Sequence, residues 1–485
     1  MTELPAARDL INGQFSVPST VLTSTVDDPN TEAVLEVQIA THLDAVVTAV
    51  KTAHRVHGNR TWLDLGVEGR AEALERFAEE LGVRAQAIGE VESLNPGIIT
   101  SVARPMAGGC ADQVRGIVEQ LRRDGDGIDL PGKGTGGPVR LRRDPWGPAL
   151  VLAPWNAPSP TAVGKTAAAM AAGCPVILKA SEWAPGSSRL IAEAADAAGL
   201  PAGVFQLVHG GAEVGAALAS DPRIRAISMT GGQAAGRAIA VSSAPNFTRL
   251  QLELGGNNPV IVMPDADLEA TARSLATGMT KLNGQWCEAP GKLFVPTHLH
   301  DSLVEAIIAA LAELVIGSSE SATSDIGPLA FREHRALVLT QIAALVAQGG
   351  RAITSHEDVP SRGWFLSPTV IVGAPAQAAS GEVFGPVVTV HTYGELEEAV
   401  RLAGDSADGL AGYVFGADTS HAIAIGSRLP GGEIKVNGTS LFDLTAESHQ
   451  SFWGQSGYGG HGSGEALEFF RGNRIVGVDN SEAPI

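Results

Sequence analysis

The feature that most constrains this chain is a strict alternation between residues 149 and 254. Short apolar runs at ALVLAPW (149–155), PVILKAS (175–181), VFQLVHG (204–210), RAISMTGG (225–232) and RLQLEL (249–254) recur along it. Stretches of helical spacing near 161–173, 187–198, 212–220 and 233–243 separate them. Apolar runs of strand length between helices of this length predict βαβ units and a parallel sheet. Such a sheet binds ligands at the carboxyl ends of its strands. Here those ends read PWN, KASE, HGG, TGG and ELGG.

A second α/β series begins at PVIVMPDADL (259–268). Its pattern predicts helices near 268–282, 299–315, 333–348, 395–403 and 419–428. Strands are expected at KLFVP (292–296), PTVIV (368–372), PVVTVHTY (386–393), AGYVFG (411–416) and EIKVNG (433–438). The first 122 residues carry helical patterns at about 41–57 and 67–93. Between these regions, LPGKGTGGPVRLRRDPWG (130–147) reads either as a linker or as an extended hairpin. No internal repeat or low-complexity tract is visible. A chain of 485 residues exceeds one ordinary core, so two or three packed units are expected.

Charge and cysteine content exclude several functions. With 34 Lys and Arg against 53 Asp and Glu, the net charge is −19, which opposes general nucleic-acid binding. The cluster Arg140, Arg142, Arg143 is too short to reverse that. Three cysteines, 110, 174 and 287, make no disulfide framework and no CxxC pair, so no metal site is expected. No run of about 18 apolar residues offers a membrane span. The N-terminus, MTELPAARDLINGQF, lacks the basic and apolar regions of a signal peptide. A cytoplasmic location is the expectation.

Chemistry concentrates at Cys287. The sequence KLNGQWCEAPGKLFV places it after Gly-Gln and before a strand, on an irregular turn where a sulfur can be exposed. A thiolate is a nucleophile if the site stabilises or generates it. Cys110 and Cys174 read instead as inert core residues. Glu253 ends a strand beside a Gly-Gly turn in LELGGNNP, where partial burial would raise a carboxyl toward general-base use. Taken alone it would be a surface carboxylate or cap. Asn156, after Pro-Trp, offers an amide to an oxyanion, as does the backbone N–H of Cys287; one such donor is worth about 3–4 kcal/mol in a transition state.

PWN, LKASE, MTGG, LELGGNNP, GQWC, EVFGPV (382–387) and VNG (436–438) together resemble the aldehyde dehydrogenase superfamily, hydrolytic branch. They follow that family's order and spacing over nearly the whole chain. The resemblance implies an α/β fold: a Rossmann-like cofactor domain, an α/β catalytic domain and a small β oligomerisation flap. The expected boundaries are 1–122 and 146–255 for NAD(P) binding, 256–436 for catalysis, and 123–145 with 437–485 for the flap and tail. The same resemblance makes Cys287 the nucleophile, Asn156 the oxyanion amide, Glu253 the deacylating base and Lys165 part of a proton path, although Lys165 also reads as a solvated helix residue. Glu253 favours hydrolysis over transfer to CoA.

For the cofactor, Lys179, Ser181 and Glu182 in LKASE match residues at the adenosine ribose. Gly211 and Gly215 match a turn near the adenine, and Thr230, Gly231 and Gly232 a turn at the pyrophosphate. Trp155 is expected to line the cleft, Glu382 to hold the nicotinamide ribose and Phe384 to lie beside the ring. A carboxylate at 182 would repel a 2′-phosphate, favouring NAD and leaving NADP open. A homodimer or homotetramer and a small-molecule aldehyde substrate complete the implied partners, with no nucleic acid or membrane among them.

The chain departs from the pattern near its end. The family's PFGGxKxSGxG followed by Arg-Glu becomes QSFWGQSGYGGHGSGE (450–465), preceded by extra residues at 442–450. His461 stands about where the family often has Glu. Ala157 and Gly164 replace large side chains, which predicts a wide tunnel and a bulky aldehyde, unless the altered loop or Trp453 fills the space. Trp286, Phe442 and Trp453 are the other tunnel candidates. Three competing readings remain: a CoA-acylating or semialdehyde-specific relative, a catalytically silent binding protein, and a thiol hydrolase, for which no histidine partner motif exists.

Overall fold

The five apolar runs of 149–254 lie side by side as parallel strands. In the computed structural model, which describes residues 3–132, 137–445, 447–462 and 464–479, they run Phe205–Val208, Val176–Lys179, Ala149–Leu152, Ala226–Gly231, Arg249–Leu254 across the sheet. Strands covered on both faces read as nearly continuous apolar runs, and the exceptions here, Lys179 and Gln206, are hydrogen-bonded. Accordingly 149–152, 176–179 and 205–208 are buried at every position. Antiparallel Asp9–Ile11 and Gln14–Ser16 extend one edge. At the other edge Gly457–Tyr458 adds antiparallel to Arg249–Leu254, setting Gly457 opposite Glu253.

The second series builds a separate seven-stranded sheet. Its order is Arg351–Thr354, Thr369–Val372, Val387–Tyr393, Pro290–Pro296, Asn258–Val262, Ala411–Phe415, Glu433–Val436. All neighbours are parallel except the first pair. Helices expected from the pattern form close to their expected limits, including Pro158–Ala171, Gln233–Ser243 and Leu268–Thr280. Asp267 caps the last of these by accepting from Ala270 N–H at 3.0 Å. Pro at the first position and a run of alanines let Pro158–Ala171 pack tightly under the first sheet.

Several elements escaped the pattern, among them a long helix and an N-terminal hairpin. Helix Thr100–Asp124 contains Pro105 and the pair Gly108–Gly109, residues that weaken helix propensity. Its buried stripe from Ala103 to Leu121, packed on helix Gly66–Leu94, overrides them. Strands Thr20–Asp28 and Ala33–Ala40 form a hairpin of their own. For 130–147 the hairpin reading is the correct one. Gly127–Leu130 and Val139–Pro145 pair antiparallel, and Arg471–Gly477 adds a third strand. Residues 133–136 and 480–485 of the expected flap and tail lie outside the described residues. Among the described residues no helix is long and apolar enough to cross a membrane.

Candidate active site

The carboxyl ends of the first sheet open into a cleft of about 600 Å³ whose far wall comes from the second series. Trp155, Asn156 and Glu253 reach it from strand ends, and Cys287 and Glu382 from across. The rule that open parallel sheets bind ligands at this edge therefore locates the site without reference to any motif.

Local backbone geometry presents the thiol. Leu282 and Asn283 adopt φ of 48° and 59°, and Gly284 follows at 80°. A Cβ at 284 would collide with the backbone of Gly385 and Pro386, so only glycine fits. Asn283 Nδ2 donates to the carbonyls of Gly97 (2.8 Å) and Pro328 (2.9 Å), which offsets the strained turn. Asn258 Nδ2 donates to the carbonyls of Cys287 and Ala289, each at 2.9 Å. Pinned on both sides, Cys287 is half-buried and its Sγ donates to Glu253 Oε1 at 3.4 Å. Asn156 Nδ2 donates to Gln285 O at 2.9 Å, beside the same loop.

Glu253 is the electrostatic hub. Its Oε2 accepts from Thr230 Oγ1 at 3.0 Å, with Lys165 Nζ at 3.6 Å and His461 Nδ1 at 3.7 Å. Burial alone would raise its pKa, but His461, Lys165 and Thr230 together hold the carboxyl well below its usual range. Lys165 is drawn down by burial against the pull of Glu253. Its Nζ donates to Thr230 Oγ1 at 2.5 Å and its side chain is only 13% accessible, so it is no solvated helix residue. Burial, then the Glu253 charge, pushes the Cys287 thiol well above its ordinary value. The resting pair is thus a thiol against a carboxylate, and the carboxylate stands ready to accept.

The remaining cleft residues suit a dinucleotide. Gly232 precedes helix Gln233–Ser243, whose free N–H groups and dipole face the cleft. A Cβ at Gly215 or Gly232 would meet nothing within 4 Å, which leaves both backbones open to close approach by a ligand. Gly211, Thr230 and Gly231 line the same wall. Lys179, Ser181 and Glu182 line the cleft beside them, with Lys179 Nζ 3.3 Å from Glu182 Oε2. Glu382 accepts from Gly256 N–H at 3.3 Å, and burial pushes its pKa up to about 8. Phe384 meets Trp155 edge-on at 5.4 Å between ring centroids. Lysine, paired hydroxyl acceptors, a bare helix end and an aromatic wall match the ribose, pyrophosphate and nicotinamide of NAD in kind.

The tunnel candidates fare differently. Trp286 is buried, its indole donating to Gly278 O at 2.8 Å, and packs in an apolar cluster with Ile98, Ala103 and Leu282 that Ala157 adjoins. Phe442 and Trp453 are 82% and 60% exposed, so neither roofs the thiol. The room expected at Gly164 is occupied: a Cβ there would run into the Gln113 amide. Gln113 comes from the helix that the pattern missed, so this wall could not be read from local sequence.

Other participants were also missed. Asn257 donates to the carbonyls of Ala379 (2.6 Å) and Gly381 (3.1 Å), steadying the segment that carries Glu382. His334, held near pKa 4 by burial, binds Phe384 O at 2.6 Å and packs on Trp155. Trp183 stacks on Phe331 at 4.1 Å with rings 8° apart, closing one end of the cleft. The second Asn of the LELGGNNP motif was visible, but its partners lie some 30 residues away. Among the described residues no group of His, Cys, Asp and Glu gathers as for a metal ion.

Comparison with known proteins agrees with this geometry. The family model described as the aldehyde dehydrogenase family matches residues 18–476. Geranial dehydrogenase of Castellaniella defragrans is 34% identical over 88% of this chain and 90% of its own length. A 3-succinoylsemialdehyde-pyridine dehydrogenase of a Pseudomonas species is 33% identical, covering 97% of this chain and 98% of that one. The solved structure of an aldehyde dehydrogenase C mutant from Pseudomonas syringae, complexed with NAD+ and octanal, superposes with a TM-score of 0.91. It is 28% identical, with 99% of this chain and 98% of that one covered.

Proposed function

The chain belongs to the aldehyde dehydrogenase family, and from that premise we propose that it oxidises a bulky, largely apolar aldehyde to its free acid through a thioester on Cys287. The observation that carries this reading is the Cys287–Glu253 contact at 3.4 Å inside a cleft fit for a dinucleotide.

In the proposed sequence, Cys287 gives up its proton toward Glu253 and Sγ bonds to the aldehyde carbon. The resulting oxyanion takes hydrogen bonds from Asn156 Nδ2 and the Cys287 N–H, once Asn156 releases Gln285 O. Lys179, Glu182, the Gly231–Gly232 turn and Glu382 would hold NAD, which when bound would supply the two-electron acceptor that oxidation of the thiohemiacetal requires. Once the thiol proton has passed from Glu253 to solvent, the carboxylate takes a proton from water, the water oxygen bonds to the acyl carbon, and the C–S bond breaks to return the Cys287 thiolate. Lys165 and Thr230 hold the Glu253 carboxylate in position through this step.

A bulky substrate is supported by Ala157 and by the apolar cluster adjoining Cys287, which includes Val102, Met106 and Ala289. Two relatives are named for geranial and for a pyridine-bearing semialdehyde. Gln113 beside Gly164 supplies one polar contact to that wall. Residues 1–122 and 146–255 read as the cofactor domain, 256–436 as the catalytic domain, and the rest as flap and tail. Exposed Ile128, Ile475, Val476 and Val478 on the three-stranded flap support pairing between copies as a dimer or tetramer.

An aldehyde panel assayed by NADH absorbance without CoA tests the reading. Free acid and a higher kcat/KM for octanal or benzaldehyde than for acetaldehyde are expected. A requirement for CoA, or preference for the two-carbon aldehyde, would overturn the hydrolytic or the bulky assignment respectively.

A further inference from the structure

Glu253 faces a histidine that the mechanism above does not use. His461 lies on strand Gly460–Gly462, directly opposite Gln450 on strand His449–Ser451. Two residues before that strand ends Gly457–Tyr458, which is zipped onto the Glu253 strand. The tail thus delivers the imidazole to the carboxylate by backbone pairing. Nδ1 stands 3.7 Å from Glu253 Oε2, and the ring sits edge-on to Phe452 at 5.3 Å.

The tautomer follows from the hydrogen bonds. Gln450 Nε2 donates to Glu288 Oε1 at 3.2 Å and to Leu410 O at 3.0 Å, which turns its Oε1 toward His461. That oxygen can only accept, so His461 Nε2 carries a proton and donates across 2.5 Å. A neutral ring therefore points the bare lone pair of Nδ1 at Glu253. Two acceptors facing each other call for a proton between them.

We propose that His461 is a positioning and proton-accepting partner of Glu253: its Nδ1 receives the proton that Glu253 removes from the hydrolytic water. This rests on Glu253 being the deacylating base. In balance, one water O–H bond breaks as the water oxygen bonds to the acyl carbon. The proton passes from Glu253 Oε2 to Nδ1, giving an imidazolium. The C–S bond then breaks, leaving the acid and the Cys287 thiolate. His461 is 31% accessible at its side chain, so the proton has a way out to solvent. Lys165, on the same carboxylate, is 13% accessible and bonded to Thr230.

The charged surroundings favour this assignment. Burial would lower the pKa of His461, but Glu253, Glu288 and Asp443 outweigh it and raise it above 6.5. Lys165 stands across Glu253, and His449 lies on the paired strand. The helix Glu465–Phe469 packed beside the strand brings Glu465 and Glu468, the latter bound to Arg471. Deacylation needs the neutral ring, so its rate rises with pH through an inflection above the ordinary histidine value.

Stopped-flow NADH absorbance with octanal, across pH 5.5 to 9, tests this in the full-length enzyme. His461→Gln is expected to keep the burst within about twofold while steady turnover falls roughly tenfold or more and the inflection disappears. Added imidazole is expected to restore part of the turnover of His461→Ala. An unchanged turnover and pH profile in His461→Gln, beside a normal wild-type burst, overturns this inference alone. No aldehyde-dependent NADH in the wild type overturns the proposed function with it. Should the His461 variants fail to fold, ring-labelled histidine NMR of wild type and Glu253→Gln decides. One histidine midpoint must fall when the carboxylate is removed; if none moves, the inference is wrong.

Discussion

The Cys287 thiol donates to Glu253 Oε1 across 3.4 Å, which ties the proposed nucleophile to the proposed deacylating base. One carboxylate thereby faces two protons in turn, first the thiol's and then the water's. Glu253→Gln is expected to stall at the acyl-enzyme, with steady turnover down about 10²- to 10⁴-fold. Intact-mass spectrometry after mixing with octanal and NAD would show the acyl adduct. Turnover at the wild-type rate would remove Glu253 from deacylation.

Thiol reactivity gives a second check. Burial and then the Glu253 charge raise the Cys287 pKa, so the thiolate fraction grows as pH rises. Replacing the carboxylate by an amide removes the charge and leaves the burial. The midpoint of iodoacetamide alkylation against pH is therefore expected to move down in Glu253→Gln, though not to the value of a free thiol. A midpoint that stays put would mean the carboxylate does not act on the sulfur.

Asn258 is expected to matter without touching substrate. Its amide ties the carbonyls of Cys287 and Ala289, and it is 2% exposed. Asn258→Ala leaves two part-buried acceptors without their donor, a loss of about 1–3 kcal/mol. Chemical denaturation should register that cost, and kcat should fall as the thiol loses its fixed position. Wild-type stability would contradict the assigned hydrogen bonds.

If Glu182 lies at the adenosine ribose as proposed, its charge should bear on cofactor choice. Glu182 Oε2 lies 3.3 Å from Lys179 Nζ, so a carboxylate meets any group placed at the ribose. Glu182→Gln removes the repulsion toward a 2′-phosphate and leaves Lys179 free to attract it. The ratio of kcat/KM for NAD over NADP is expected to drop roughly tenfold, a difference of about 1.4 kcal/mol. An unaltered ratio would put cofactor discrimination elsewhere in the cleft.

Stability should also carry a pH signature, from a carboxyl bound to Ser159. Glu92 is fully buried, accepts from Ser159 N–H at 2.8 Å and Ser159 Oγ at 3.0 Å, and burial pushes its pKa up to about 7. A carboxyl whose folded pKa exceeds its unfolded one favours folding in its protonated form. Its contribution is fully present below about 4.5 and is lost as pH rises through about 7, on the order of 3 kcal/mol. Glu92→Gln should flatten the pH dependence of the unfolding midpoint in that window. An identical slope in wild type and variant would refute the shift.

Much of this molecule was legible because periodicity reports burial. Runs buried on both faces, such as 149–152 and 259–262, have no polar position to obscure them, and their helices follow by alternation. Helix Thr100–Asp124 was hidden because Pro105 and two adjacent glycines contradict what tertiary packing imposes. The proposed trio of Cys287, Glu253 and Asn156 could be picked out because each member follows a strand or occupies a glycine-marked turn, and the structure brings the three to one cleft. Gln113 at Gly164 and Gln450 at His461 were not, since both contacts join segments far apart in sequence. The tunnel residues Phe442 and Trp453 illustrate the converse: side chains chosen by their place in an altered loop proved to point at solvent.

The absent side chain at Gly284 has a mechanical consequence. Because the backbone there rests directly on Gly385 and Pro386, the loop bearing the sulfur and the loop bearing Glu382 and Phe384 have no compressible layer between them. A displacement of one is handed to the other almost undiminished. A group seated against the aromatic ring at 384 is therefore expected to bear on the loop that carries the sulfur, with one peptide thickness as the spacer.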